Sequence, residues 1–193
     1  MIELPPHLAQ ERQKAVEWAR TMLESPAVIV DFETTGVSKP EVVQIGVVDM
    51  QGNVLMDTLI KPSVTIPADV IAVHGITNEM VEEAPSFHEM YIKFSVLLAG
   101  KAAIAYNVSF EKQVLQAVCE RRDLPLPRPR QWHCAMINYA SFYGQWNAKR
   151  HSFTWQGLGK ACTQQNITVE NAHNAVGDCR MTLSLIQAMA RSD

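Results

Sequence analysis

A short apolar run preceded by Pro26, Ala27-Val28-Ile29-Val30-Asp31-Phe32, most constrains how this chain can fold. It is rich in β-branched residues, the pattern of a central strand covered on both faces. Side chains alternate along a strand, so Asp31 and Glu33 leave the same face near its C-terminal end. Two carboxylates at i and i+2 repel each other unless a cation lies between them. An apolar strand that ends in such a pair therefore suggests a site for a hard divalent metal. The plainer alternative is one acid closing a strand and another opening a turn.

The 193 residues suffice for one well-buried domain and are few for two. No apolar stretch approaches the length of a membrane span, and the opening residues lack a basic region followed by an apolar one, so neither a membrane role nor a secretory signal is expected. The cysteines Cys119, Cys134, Cys162 and Cys179 are far apart and form no Cys-x-x-Cys pair. That spacing disfavours a zinc site or disulfide framework and fits a reduced, cytoplasmic setting. The net charge of −3 runs against nucleic-acid binding, which draws on Lys and Arg at phosphates. Setting four carboxylates aside for a metal site removes the objection, and basic residues gather in Arg121-Arg122, Arg128-x-Arg130 and Lys149-Arg150-His151. Solvated loops and helix ends explain those clusters equally well.

Along the chain, residues 8–24 carry one apolar stripe (Ala15, Trp18, Ala19, Met22, Leu23), predicting a helix in an N-terminal extension, residues 1–25, packed on the domain of residues 26–193. Strands over Val42–Met50 and Val54–Ile60 flank the hairpin signal Gln51-Gly52-Asn53. Short helical pieces follow at 67–73 and 77–80. Next comes a longer helix ending at Leu98, with Ser86 as N-cap and Gly100 as stop. The pattern then gives a strand at 101–106, a helix at 108–122, a strand at 132–134 and a helix at 135–143. Residues 144–155 read as a surface loop, 155–164 as a short helix and 175–190 as a closing helix. Three strands and then alternating helix and strand indicate a single α/β domain with a mixed sheet.

Two more segments bring titratable residues to the ends of elements. Tyr106-Asn107-Val108-Ser109-Phe110-Glu111 puts Glu111 in the first turn of a helix, and His173-Asn174-Ala175-Val176-Gly177-Asp178 leads into the last one. With Asp-Phe-Glu-Thr-Thr-Gly and Val-His-Gly-Ile-Thr-Asn-Glu-Met-Val they occur in one order with domain-like spacing. This order resembles the DEDDh family of 3′–5′ exonucleases over roughly Val28 to Ala190. The resemblance implies a ribonuclease H-like fold: a five-stranded mixed sheet in the order 3-2-1-4-5, strand 2 antiparallel, flanked by helices.

It further implies a two-metal phosphodiesterase with two Mg²⁺, Mn²⁺ able to substitute. By that pattern Asp31 bridges both ions, Glu33 and Asp178 complete the first, and Glu111 serves the second. His173 takes the proton of the attacking water, a task suited to imidazole near neutral pH. The family has Asp where this chain has Glu111, one methylene longer, which could displace the second ion and favour Mn²⁺. By family position Thr34, Thr35 and Gly36 offer backbone N–H groups to the terminal nucleotide. His74 and Ile76 contact its sugar and base, and Asn107 and Phe110 hold the scissile phosphate and a flanking base. Core packing is the alternative for Ile76 and Phe110. Trp132, Trp146 and Trp155 could stack on a strand, though two of them bordering a loop is thin ground.

The implied partner is nucleic acid with a free 3′ end, single-stranded DNA ahead of RNA, and the family allows a homodimer. A chain that stops just past its last helix suggests a free-standing enzyme rather than a polymerase-tethered subunit. The alternative reading is a weakly active or inactive module, weakened by Glu111, that binds nucleic-acid ends or docks on a larger complex.

Overall fold

The computed structural model describes residues 6–169 and 173–192, without the side chains of residues 6–8. Residues 1–5 of the N-terminal extension, 170–172 ahead of His173, and Asp193 lie outside it. Five strands form one sheet: β1 (Ala27–Thr34), β2 (Val42–Asp49), β3 (Val54–Leu59), β4 (Ala102–Ala105) and β5 (Gln131–Cys134). Their order is β3-β2-β1-β4-β5, with β2 antiparallel to its neighbours and β4 and β5 parallel to β1. The expected order and the single reversed strand are thus observed. Eight described helices cover the sheet: α1 (Pro6–Glu24), α2 (Ala68–His74), α3 (Asn78–Val81), α4 (Phe87–Leu98), α5 (Val108–Arg121), α6 (Ala135–Tyr143), α7 (Leu158–Gln164) and α8 (Ala175–Ala190).

Alternation along β1 decides which layer each residue serves. Val28, Val30 and Phe32 face one core with Phe87, Phe94 and Leu98 of α4 and Val114 and Val118 of α5. Ala27 and Ile29 face the other, with Ala15 and Ala19 of α1, Tyr139 of α6, and Cys179, Leu185 and Ile186 of α8. Each large side chain so buried contributes about 1.5–3 kcal/mol. Asp31 and Glu33 continue the second face beyond its apolar part, which aims them at the start of α8.

Local chemistry sets the element ends. Ser86 and Glu89 form a reciprocal capping box at α4, with Ser86 N–H donating to Glu89 Oε2 (2.7 Å) and Glu89 N–H to Ser86 Oγ (3.3 Å). Two predicted boundaries move. The segment 144–155 is not plain loop: β6 (Trp146–Asn147) and β7 (Ser152–Phe153) pair as a small hairpin, closed by an edge-on Trp146–Phe153 contact with ring centroids 5.3 Å apart. Two-residue strands are too short to show a period in sequence, so only the cross-strand aromatic pair marks them. The helix expected from residue 155 begins at Leu158, because Gly157 is its extended N-cap.

Sheet and helix approach closely at Gly46, opposite Asp31 in register. A Cβ there would lie 2.5 Å from the carbonyl carbon of Ala175 and 2.8 Å from the nitrogen of Val176. Only hydrogen at this position lets the first turn of α8 rest on β2. Gly46→Ala is therefore expected to push α8 off the sheet. The cost is about 1–3 kcal/mol, seen in thermal unfolding as a drop of about 2–12 °C. A drop under about 1 °C would show that the helix yields freely.

Candidate active site

Because β1 and β4 run parallel, their C-terminal ends open on the same edge of the sheet. The α5 and α8 N-termini arrive there from opposite layers. Crevices of this kind, outside the carboxyl ends of strands, are where α/β folds collect ligands. Here a cavity of about 200 Å³ is lined by Asp31, Phe32 and Glu33 of β1, by Tyr106, Asn107, Phe110 and Glu111 around the start of α5, and by Leu158, His173 and Asp178. Asp31, Glu33 and Asp178 each offer a carboxylate oxygen, and these oxygens lie within 4.8 Å of one another. Glu111 stands outside that group but in the same cavity; it is 4% exposed, and its Oε2 has no hydrogen-bond partner.

The electrostatics of the cluster are one-sided. Burial raises the Asp31 carboxyl well above the ordinary range, and the neighbouring Glu111, Asp178 and Glu33 raise it further. Burial and Asp178 push Glu33 up to about 7. Burial, chiefly, with Asp178 and Glu33 brings Glu111 to about 8. Asp178 is raised by burial as well, although the His173 backbone N–H, which donates to its Oδ1 at 3.3 Å, works against the rise. Four carboxyls that resist ionisation together, one with an orphaned buried oxygen, make an all-oxygen donor set of the kind that hard divalent cations satisfy.

Residues that sequence reasoning passed over hold this arrangement in place. Gln44 on β2, 4% exposed, accepts from the backbone N–H of Ala175 (3.1 Å) and from Asn174 Nδ2 (3.3 Å) while donating to Asp57 Oδ1 (2.8 Å). Asn174 in turn caps α8 by accepting from Gly177 N–H (3.1 Å). The link from His173 to Asp178 is thus clasped to the sheet. His173 itself is exposed and has left-handed backbone (φ 62°), a conformation uncommon outside glycine. Beyond it lies a wider cleft of about 730 Å³, which Asp57, His74 and Arg180 also line. A buried glutamine in a strand gives no sequence signal for such a clasp.

The candidate substrate residues divide. Asn107 and Phe110 line the carboxylate cavity. Ile76 is 4% exposed in a small core with Val43, Ile66 and Val81. Its backbone N–H donates to His74 Nδ1 (3.0 Å), which leaves the proton on Nε2, facing the carbonyl of Thr34 (3.3 Å). Both ring nitrogens of His74 are therefore engaged. The N–H groups expected to face a nucleotide at Thr35 and Gly36 have internal acceptors, Glu41 O (2.8 Å) and Thr34 Oγ1 (3.3 Å). In this structure both of those donors are turned to internal acceptors. Glu41, 2% exposed, braces the loop from behind through Arg121 Nη1 (3.1 Å), Arg122 Nη2 (2.9 Å) and Ser63 N–H (2.9 Å).

Comparison with known proteins places this geometry. The RNase_T family model, described as Exonuclease, matches residues 28–186. The chain belongs to this exonuclease family. A relative from Escherichia phage 186, named an uncharacterized exonuclease CP81, is 32% identical over 186 residues and is matched over 93% of each chain. The DNA polymerase III subunit epsilon of Treponema pallidum is 31% identical over 168 residues, covering 82% of this chain and 74% of its own. Among solved structures, exonuclease X in complex with 5′ overhanging duplex DNA superposes with a TM-score of 0.65 at 24% identity, covering 86% of this chain and 92% of that one. The nuclease domain of 3′hExo, a DEDDh family member bound to rAMP, gives a TM-score of 0.64 at 16% identity, covering 83% and 91%. At such identities the structures establish the shared fold, which is the ribonuclease H-like one.

The raised carboxyls give this exonuclease a characteristic pH response without cations. A carboxyl raised in the folded state binds more protons there than in the unfolded chain. Its contribution is therefore intact below the ordinary pKa and is lost as pH rises toward 7–8, the range of Glu33 and Glu111. In EDTA the melting temperature is expected to fall between about pH 5 and pH 8, less steeply in Glu33→Gln, and to recover at pH 8 when Mn²⁺ is added. Equal slopes in the two proteins would remove Glu33 from the cluster.

Proposed function

We propose that this exonuclease hydrolyses phosphodiester bonds at the 3′ end of single-stranded or frayed nucleic acid, releasing 5′-mononucleotides. The observation that carries this reading is the meeting of Asp31, Glu33 and Asp178 with their oxygens within 4.8 Å, beside the orphaned Glu111 carboxyl. The donor set suits two Mg²⁺, with Mn²⁺ as substitute: Asp31 would be shared, Glu33 and Asp178 would complete one site, and Glu111 would serve the other. When bound, such ions supply a nucleophilic water at neutral pH and relieve charge on the scissile phosphate and the departing 3′ oxygen.

The chain's own residues do the rest. His173, exposed at the mouth of the cavity, accepts the proton of the attacking water and passes it to solvent. Its backbone N–H donates to Asp178 Oδ1, which holds the residue beside the carboxylates. Phe110 offers a half-buried ring to the base next to the scissile bond, and Asn107 an amide to its phosphate. Water oxygen bonds to phosphorus, the bond from phosphorus to the 3′ oxygen breaks, and that oxygen takes a proton from solvent water, so a free 3′ hydroxyl stays on the shortened strand. Single strands are favoured, with DNA ahead of RNA.

The test follows 5′-labelled DNA and RNA of one sequence with Mg²⁺, Mn²⁺ or EDTA. A metal-dependent ladder shortening from the 3′ end is expected, reduced at least about 100-fold in Asp31→Ala and His173→Ala. Glu111→Asp should raise the Mg²⁺ rate relative to the Mn²⁺ rate, because Mg²⁺ is the stricter of the two about geometry. Binding without cleavage in every lane would point instead to an end-binding module.

A further inference from the structure

The hairpin of residues 145–155 has chemistry that the carboxylate cavity leaves unused. Its sequence, Gln-Trp-Asn-Ala-Lys-Arg-His-Ser-Phe-Thr-Trp, contains two permanent cations, three aromatic rings and no acid. Asn147 Oδ1 accepts from the backbone N–H groups of Lys149 and Arg150 (both 3.1 Å), which tightens the turn that carries the two cations. Neither Lys149 nor Arg150 has an ion-pair partner among the described residues. Against the turn lies a cavity of about 350 Å³, lined by Asn147, Arg150, Ser152, Phe153, Thr154 and Trp155. That volume falls within the range of about 300–1,000 Å³ typical of small-ligand pockets. Trp155 is 65% exposed, far more than a ring of its size needs for packing.

The hairpin is also tied to the catalytic cavity. Gln156, 2% exposed, donates to Gln145 Oε1 and to the Thr154 carbonyl (both 3.0 Å), and its own carbonyl accepts from the Tyr106 hydroxyl (2.6 Å). Tyr106 lines the carboxylate cavity, and so does Leu158, three residues after Trp155. Three residues of chain reach at most about 11 Å, so the exposed ring stands close to the site where a strand end would be cut.

We infer that this hairpin is a second binding site for single-stranded nucleic acid. A base two or more nucleotides 5′ of the scissile one stacks on Trp155 in the pocket, and the phosphates beside it pair with Lys149 and Arg150. The inference rests on the exonuclease reading for the direction of the strand. Aromatic faces accept any unpaired base, and cations beside them follow the backbone, so the site binds without reading sequence.

The test measures binding of a 5′-fluorescein 12-mer, as DNA and as RNA, by anisotropy in EDTA, alongside dinucleotide hydrolysis in Mn²⁺. Trp155→Ala should weaken 12-mer binding about ten-fold, within the range for loss of one stacked base. The Lys149→Ala/Arg150→Ala double variant should flatten the plot of log affinity against log salt by about 1.4, for two phosphates of a single strand. Dinucleotide hydrolysis should stay within about two-fold, since so short a substrate ends before the hairpin. Equal losses on both 12-mers would mark a site blind to the sugar, and a loss on one alone would assign the site to that strand chemistry. Affinities within two-fold of the parent in both variants would overturn the inference while leaving cleavage intact. Hairpin-dependent binding by a protein that cleaves nothing would instead overturn the exonuclease reading and leave the second site standing.

Discussion

Asp178 can join Asp31 and Glu33 because the neighbouring strand has no side chain where the last helix begins. Gly46 faces Asp31 across the β1–β2 ladder, and a single added carbon would sit 2.5 Å from the Ala175 backbone. With that contact made, Gln44 two residues earlier can accept from the N–H of Ala175 and from Asn174, and the helix start is fixed in both height and direction. Everything that meets at the sheet edge depends on this seating. The carboxyl of Asp178 arrives one turn into α8, and the backbone of His173 is held to it.

The same seating concentrates negative charge where water is scarce. Each of the four carboxyls is raised, with burial the first cause in every case. A fold gains nothing from such a cluster on its own, since like charges in a low-dielectric pocket oppose folding at neutral pH. Functional sites are where this penalty is tolerated. The surrounding framework absorbs it: two apolar cores sandwich β1, and the Glu41–Arg121–Arg122 brace steadies the loop that leaves it.

Much of this was legible from residue patterns, and the reasons differ by element. The apolar run from Ala27, the hairpin signal at Gln51-Gly52-Asn53 and the stripe on residues 175–190 are period signals that packing reinforces. They give the elements and a mixed sheet, while the strand order comes from the family resemblance that the motifs carry. The pairing of Asp31 with Glu33 follows from strand alternation alone. What escaped was set by specific contacts, some local and some distant in sequence, that no periodicity encodes. Ile76, read as a substrate contact or as core, packs in a small core, and what no pattern signals is its N–H donating to His74 Nδ1. The N–H groups of Thr35 and Gly36 look free in sequence but are satisfied by Glu41 and Thr34. The clasp of Gln44 spans 130 residues, and the hairpin at 145–155 rests on two-residue strands that no periodicity could reveal.

The claim at the centre of this account is that the four carboxyls exist to hold divalent cations. Crystals grown with Mn²⁺ and a nucleoside 5′-monophosphate, measured for anomalous scattering, address it most directly. The account predicts two peaks, one among Asp31, Glu33 and Asp178 and one shared by Asp31 and Glu111. A map without peaks at these carboxylates, or with Glu111 turned away from the only one, would contradict it.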